Sequence, residues 1–478
     1  MAILDTSRPR YLTDTWHEAA KTFEVIKPAT GKTVAEVADC GPTEAAQAAE
    51  TATRAFHTWK TTTAFERSDI LMRWHDLMMA NQNDLARTMT EEMGKPIKES
   101  RGEIAYAAGF VKWYAEEAKR VYGETMPSHV GNKRLLAIKQ PVGPVFAVTP
   151  WNFPAAMVTR KAAPALAAGC TFILKPAEQT PLSALHLAAL WEEAGGPAGT
   201  LQVLPCRDPV ELSDTLISDP RIRKITFTGS TEVGKILYRK AADTVKKISL
   251  ELGGHAPFIV FEDADIDRAV TEAMACKYRN AGQTCVCTNR IYVQASVLDA
   301  FTERYAAAAQ QLTVGDPLSD DTDIGPLVDA QGLAKVKAHV ADALEKGAKA
   351  VTGGHALDGL YFEPTVLTGV TSDMQLMSEE TFGPVAPIIS FDTDEEAVRL
   401  ANDTPYGLAA YFYTNDLSRA FRVAEALEYG IIGVNDGVPS TPYVPFGGVK
   451  QSGLGREGGH WGLDEYLETK YISLGLPR

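Results

Sequence analysis

Between about residues 144 and 251 the chain alternates short β-rich runs with longer stretches of helical spacing. VFAVTP, TFILKP, LQVLP, RKITFTG and KKISLE are separated by NFPAAMVTRKAAPALAAG, PLSALHLAALWEEAG, DPVELSDTLI and STEVGKILYRKAADT. Connections of that length carry crossover helices, so an α/β unit with five parallel strands in a doubly wound sheet is predicted. A second alternation runs from about 255 to 435, where APFIVF, NRIYVQ, AKAVTG, YFEPTVLTG, VAPIISF, LAAYFYT and GIIGVN read as strands. DIDRAVTEAMACKYR and DAQGLAKVKAHVADALEKG are helices between them. The first 120 residues are patterned for helices, with apolar side chains every three or four positions in TEAAQAAETATRAFHTWK and SDILMRWHDLMMANQNDLARTMTEEMG. Gly94-Lys95-Pro96 closes the second of these. KRLLAIKQ and LDEYLETKYISLG fit neither unit and read as exposed strands near 134–139 and 468–474, whose edges another subunit can cover.

Composition narrows the function. The 478 residues suffice for two or three domains, and 45% apolar with 23% charged residues is ordinary for a globular protein. A net charge of -14 disfavours nucleic acid as a partner. No basic region followed by an apolar run opens MAILDTSRPRYLTDTW, and the apolar stretch near 155–170 is broken by Arg160 and Lys161, so neither secretion nor a membrane span is expected. Six cysteines in so long a chain do not read as a disulfide framework, and a cytoplasmic location is the expectation.

Two of those cysteines stand one residue apart in NAGQTCVCTNR. A pair supplies half of a structural zinc site, and the other four cysteines are scattered, so no metal is expected. Residues two apart form a disulfide only with strain. The remaining readings are a reactive thiol or a small packing pair. Gly282 lets the backbone approach a substrate, and polar Gln283 and Thr284 suit a reactive thiol better than a buried structural one. Upstream, Glu251 ends the fifth strand in LELGG, as either a satisfied structural carboxylate or a base tuned by burial. Asn152 follows the first strand in TPWNFP, where parallel strands form their binding crevice. Together they offer a nucleophile, a base and an amide donor.

PWNFP (150–154), KPAEQTP (175–181), FTGSTEVG (227–234), LELGG (250–254), NAGQTC (280–285), EETFGP (379–384) and PFGGVKQSGLGREGG (445–459) occur in that order. On these motifs the chain resembles the aldehyde dehydrogenase superfamily over nearly its whole length, and within it the GabD-like succinate-semialdehyde dehydrogenases. The resemblance implies a Rossmann-like parallel-sheet NAD-binding domain (1–123 and 145–251), an α/β catalytic domain (252–445) and a small β oligomerisation element (124–144 and 446–478). It also implies a homotetramer, or at least a homodimer.

The same resemblance assigns roles. Cys285 attacks the aldehyde, the Asn152 amide and the Cys285 backbone N–H hold the oxyanion, and Glu251 activates water against a thioester. Pro150, Trp151, Lys175, Glu178, Gly229, Ser230, Val233, Leu252, Glu380 and Phe382 map onto the cofactor site. Within it Ser230 meets the pyrophosphate at a helix start, Glu178 the adenosine ribose, and Glu380 and Phe382 the nicotinamide end. A carboxylate at 178 opposes a 2′-phosphate, so NAD is favoured over NADP. Arg160, Arg279 and Ser440 are expected to bind a substrate carboxylate, making the substrate succinate semialdehyde. Pro442 and Tyr443, in the loop expected to shape that pocket, leave room for glutarate or 2-oxoglutarate semialdehyde as the alternative. In some relatives of this type a pair matching Cys285 and Cys287 forms a reversible disulfide, so Cys287 is either a redox partner or a packing residue.

Overall fold

The computed structural model describes residues 8–477. Its largest sheet contains all five strands expected from 144 to 251. Their spatial order is Lys247–Glu251, Lys224–Thr228, Val145–Val148, Phe172–Lys175, Leu201–Val203, and every neighbouring pair is parallel. The order therefore reverses between Val145–Val148 and Lys224–Thr228, which opens a crevice at their carboxyl ends. Core positions of these strands are buried on both faces, which explains their nearly continuous apolar runs. The seven strands expected from 255 to 435 form one seven-stranded sheet, with Lys349–Thr352 antiparallel at its edge.

The N-terminal region departs from its helical reading. Arg10–Leu12 and Trp16–Glu18 form a hairpin that extends the large sheet antiparallel to Leu201–Val203, and Thr22–Ile26 pairs with Thr33–Ala38. Strands of three residues are too short to show a period of two. The apolar stretch from 68 to 94 is not one helix either. It breaks at Asn81 into Ala64–Ala80 and Gln82–Met93, and Gly94 ends the second in a left-handed conformation. A further helix, Ile97–Glu117, packs against Ala156–Ala168.

The two supposed edge strands pair with each other. Leu467–Gly475 runs antiparallel to Lys133–Pro141, and Glu124–Met126 covers the far side of the latter. One long edge, that of Leu467–Gly475, is left open among the described residues. No helix among them is long and apolar enough to cross a membrane.

Candidate active site

The crevice receives a loop from each large sheet. Asn152 follows Val145–Val148, Gly229 and Ser230 follow Lys224–Thr228, and Glu251 ends the neighbouring strand. Cys285 arrives from the other sheet, between the helix Ile266–Tyr278 and the strand Thr288–Gln294. Its approach is a run of left-handed backbone: φ is 54° at Asn280, 55° at Ala281 and 76° at Gly282. Such a run in non-glycine residues is strained and persists only when its surroundings hold it. At Gly254 an added Cβ would lie 2.4 Å from the Cys285 carbonyl oxygen, so the glycine of LELGG lets the two lobes close on the cysteine.

Two cavities meet at Cys285, one of about 370 Å³ on the crevice side and one of about 350 Å³ beyond it. Burial pushes the thiol up to about 12, the Glu380 and Glu251 carboxylates add to the rise, and Arg160 and Arg279 oppose it. Asn152 is buried, its Nδ2 donates to the Gln283 carbonyl at 3.1 Å, and its Oδ1 has no partner. The amide donor thus lies against the same loop that carries the cysteine.

Glu251 is 3% exposed, and neither of its carboxylate oxygens has a hydrogen-bond partner. Burial and the neighbouring Glu457 carboxylate push its pKa well above the ordinary range, against the pull of Arg160, Lys161 and Arg456. Its side chain lies beside Gly447 and lines neither cavity. The carboxylate is therefore close enough to perturb Cys285 but is withdrawn from the space where a substrate would sit.

The crevice-side cavity is lined by Pro150, Trp151, Gly229, Ser230, Leu252, Glu380 and Phe382, among others. Ser230 caps the helix Thr231–Ala242, whose first turn offers free N–H groups to an anion. Glu380 accepts from the Gly254 N–H through Oε1 at 3.2 Å, and burial pushes its carboxyl up to about 7. Phe382, at φ 56°, stands edge-on to Trp151 with ring centroids 5.5 Å apart. A helix N-terminus at one end, a carboxylate with a spare oxygen at the other and aromatic walls between them fit a dinucleotide. Lys175 and Glu178 form an ion pair at 3.1 Å outside that cavity, Glu178 opening instead on a neighbouring groove with Arg207. Val233 lies 42% exposed on the outer surface of its helix.

The second cavity brings together Arg160, Arg279 and Ser440 with Tyr106, Phe153 and Phe446. Arg160 is 2% exposed, its Nε lies 2.5 Å from Glu457 Oε2, and its guanidinium lies 4.0 Å from the Phe446 ring centroid. Its Nη2 has no hydrogen-bond partner, nor does the Arg279 Nε. Pro442 and Tyr443 do not shape this space. Tyr443 is exposed and packs edge-on against Trp113 at 5.2 Å, and the wall is made by Val438, Ser440 and Phe446.

Cys287 points elsewhere. It is buried, accepts from Lys277 Nζ at 3.3 Å and donates toward the carbonyls of Lys277 and Thr288. Both thiols of the pair are free. Lys95, Glu99, Glu103 and Tyr106 also wall the second cavity, and no motif pointed to them. Their only trace in the sequence is the four-residue spacing of Lys95, Glu99 and Glu103 in KPIKESRGE.

The profile of the Aldehyde dehydrogenase family matches residues 16–472. The chain is 53% identical to glutarate-semialdehyde dehydrogenase of Pseudomonas putida KT2440 over 468 residues, covering 98% of this chain and 97% of that protein. It is 53% identical to succinate-semialdehyde dehydrogenase (NADP(+)) GabD of Escherichia coli K12 over 465 residues, 96% of each. A crystal structure of an aldehyde dehydrogenase from Brucella melitensis biovar abortus 2308 superposes with a TM-score of 0.98 at 54% identity, covering 100% of both chains.

Proposed function

The chain belongs to the aldehyde dehydrogenase family, an NAD(P)-dependent group of oxidoreductases, and from that premise we propose that it oxidises succinate semialdehyde to succinate with NAD. The observation that carries the substrate class is the pair of guanidinium groups, Arg160 and Arg279, in the cavity beyond Cys285. An aldehyde carbon at Cys285 sends the rest of a short substrate into that cavity, where a terminal carboxylate meets unpartnered guanidinium nitrogens. Relatives named for succinate and glutarate semialdehydes agree with an acidic semialdehyde.

In this reading Cys285 loses its thiol proton to solvent and its Sγ adds to the aldehyde carbon, and the Asn152 amide with the Cys285 N–H stabilises the oxygen as it takes charge. The nicotinamide, when bound, supplies the hydride acceptor. Gly229 and Ser230 would hold the cofactor's pyrophosphate and Glu380 and Phe382 its nicotinamide end, and Trp151 would limit water around the thiol. Hydride loss leaves a thioester on Cys285. Glu251 swings from beside Gly447, takes a proton from water and releases the acid, regenerating the thiol.

NAD is favoured by the Glu178 carboxylate, which accepts ribose hydroxyls and repels a 2′-phosphate. Reduced-cofactor formation over a panel of succinate, glutarate and sulfonated semialdehydes, each with NAD and NADP, tests both parts. Succinate semialdehyde with NAD is expected to give the highest kcat/KM. A tenfold preference for another aldehyde defeats the substrate assignment, a wild-type preference for NADP defeats the cofactor assignment, and a preference for NAD that survives Glu178→Ser defeats the role of Glu178.

A further inference from the structure

The mechanism uses two loops that must keep a fixed separation, the one bearing Asn152 and the one bearing Cys285. Neither is stiff by itself: one is a turn between strand and helix, the other the left-handed run at 280–282. Both are tied to one short stretch of chain. Glu99 and Glu103 lie one turn apart on the helix Ile97–Glu117, on the face that walls the second cavity, and Lys95 stands just ahead of that helix.

The contacts are specific. Glu103 Oε1 accepts from the N–H groups of Ala155 at 2.9 Å and Ala156 at 3.2 Å, buried donors at the start of the helix after Asn152 that have no partner within the helix. Its other oxygen pairs with Lys95, whose Nζ also donates to the Asn152 carbonyl at 2.8 Å and lies 3.8 Å from the Phe153 ring centroid. Glu99 Oε2 accepts from the Asn280 N–H at 2.8 Å. Asn280 Nδ2 closes the circuit by donating to the same Asn152 carbonyl at 3.0 Å. Lys95 and Glu103 are only 1% and 4% exposed, so water does not compete for these bonds.

We propose that Lys95, Glu99 and Glu103 are positioning residues that hold the Asn152 amide at a set distance from Cys285. The inference rests on the oxyanion role given to Asn152 above. An ion pair that merely filled space would have no need to end on the Asn152 peptide, nor would a carboxylate one turn earlier need to hold the strained turn of the opposing loop. Charge-assisted bonds in a dry site resist rotation of that peptide, and rotating it would move the amide away from the developing charge.

The test is a cycle between Lys95→Met/Glu103→Gln, which removes both charges of the pair together, and Asn152→Ala. Two rates are followed: single-turnover NADH formation, which needs the oxyanion donor, and iodoacetamide alkylation of Cys285, which does not. Loosening of the loop is expected to slow acylation by about 10- to 100-fold. Alkylation and succinate-semialdehyde KM should stay within about twofold, and in the Asn152→Ala background the pair variant should cost less than about twofold more. Equal losses in both backgrounds, or alkylation falling in step with acylation, overturn the inference while leaving Asn152 its role. Full acylation in Asn152→Ala alone overturns the oxyanion assignment and this inference with it. If the pair variant does not fold, Lys95→Gln, whose amide is one atom shorter and cannot reach both acceptors, must show the same selective loss or the proposal fails.

Discussion

The side-chain amide of Asn152 donates to the main-chain oxygen of Gln283 at 3.1 Å, two residues ahead of Cys285, so the first sheet's loop already touches the second sheet's loop. An oxyanion forming on a substrate held by Cys285 competes with that carbonyl for the same donor. Asn152→Ala should lower the acylation rate about 10²- to 10³-fold, the cost of one such donor. Pre-steady-state NADH formation measures it, and a loss under threefold refutes the role.

Glu251 carries the second prediction. Glu251→Gln should retain a burst of NADH while thioester hydrolysis becomes rate-limiting, and Cys285→Ala should lose oxidation but still bind NAD. Glu251 is a base only when ionised, and its folded pKa is raised. Hydrolysis in the wild type should therefore accelerate as pH rises through that value, and the variant should lose this dependence. The same shift couples to stability: the folded chain keeps a proton that the unfolded chain releases near its ordinary carboxyl pKa. That contribution is fully present below the unfolded value and is lost as pH rises through the folded one. Thermal melts should thus fall less with pH in Glu251→Gln, and parallel pH profiles would contradict the assignment.

The two arginines should not behave alike. Arg160 is bridged to buried Glu457, whereas Arg279 is partly exposed and forms no such bridge. Arg279→Leu should raise the KM for succinate semialdehyde about 10- to 100-fold and leave that for butanal nearly unchanged, as expected for loss of a charged hydrogen bond. Arg160→Leu should in addition lower the melting temperature, because it removes one of the two cations on the buried Glu457 carboxylate and leaves that group to Lys161 alone. Equal KM effects on both aldehydes would remove Arg279 from carboxylate recognition.

For Cys287 the contacts with Lys277 and Thr288 favour packing over redox pairing. Peroxide should inactivate the wild type and Cys287→Ser at similar rates, through oxidation of Cys285. Peptide mass mapping that finds a Cys285–Cys287 linkage in the inactivated wild type would reverse this conclusion.

Assembly should use the open edge of Leu467–Gly475, where Tyr471 is 60% and Leu474 49% exposed. A long strand with free N–H and C=O groups and apolar side chains is a ready pairing surface. Sedimentation should show a dimer or tetramer at micromolar protein, and Ile472→Pro, which removes a donor and kinks the edge, should shift it toward monomer. A wild-type monomer contradicts the proposal.

The five strands of the large sheet and most of the seven in the second were legible because they are buried and carry their own apolar runs, a property read within a few residues; Lys349–Thr352, exposed at its sheet's edge, showed only as a short β-rich run between turn residues. Asn152, Glu251 and Cys285 stood out as candidates for a similar reason: each sits in a short motif, with glycines beside Glu251 and Cys285 and aromatic and proline neighbours around Asn152. The hairpins at residues 10–38 were not, since strands of three to six residues stabilised by distant pairing leave little periodic signal. Nor could local pattern show that KRLLAIKQ and LDEYLETKYISLG pair with each other, that Tyr443 turns to Trp113, or that Arg160 is bridged by Glu457. The tie of Lys95, Glu99 and Glu103 to Asn152 and Asn280 was equally invisible. Periodicity and turn chemistry act between residues a few positions apart and are written in order along the chain. A buried charge chooses its partner only after water is excluded, from whatever the closed fold brings within about 3 Å, so that choice belongs to the tertiary structure.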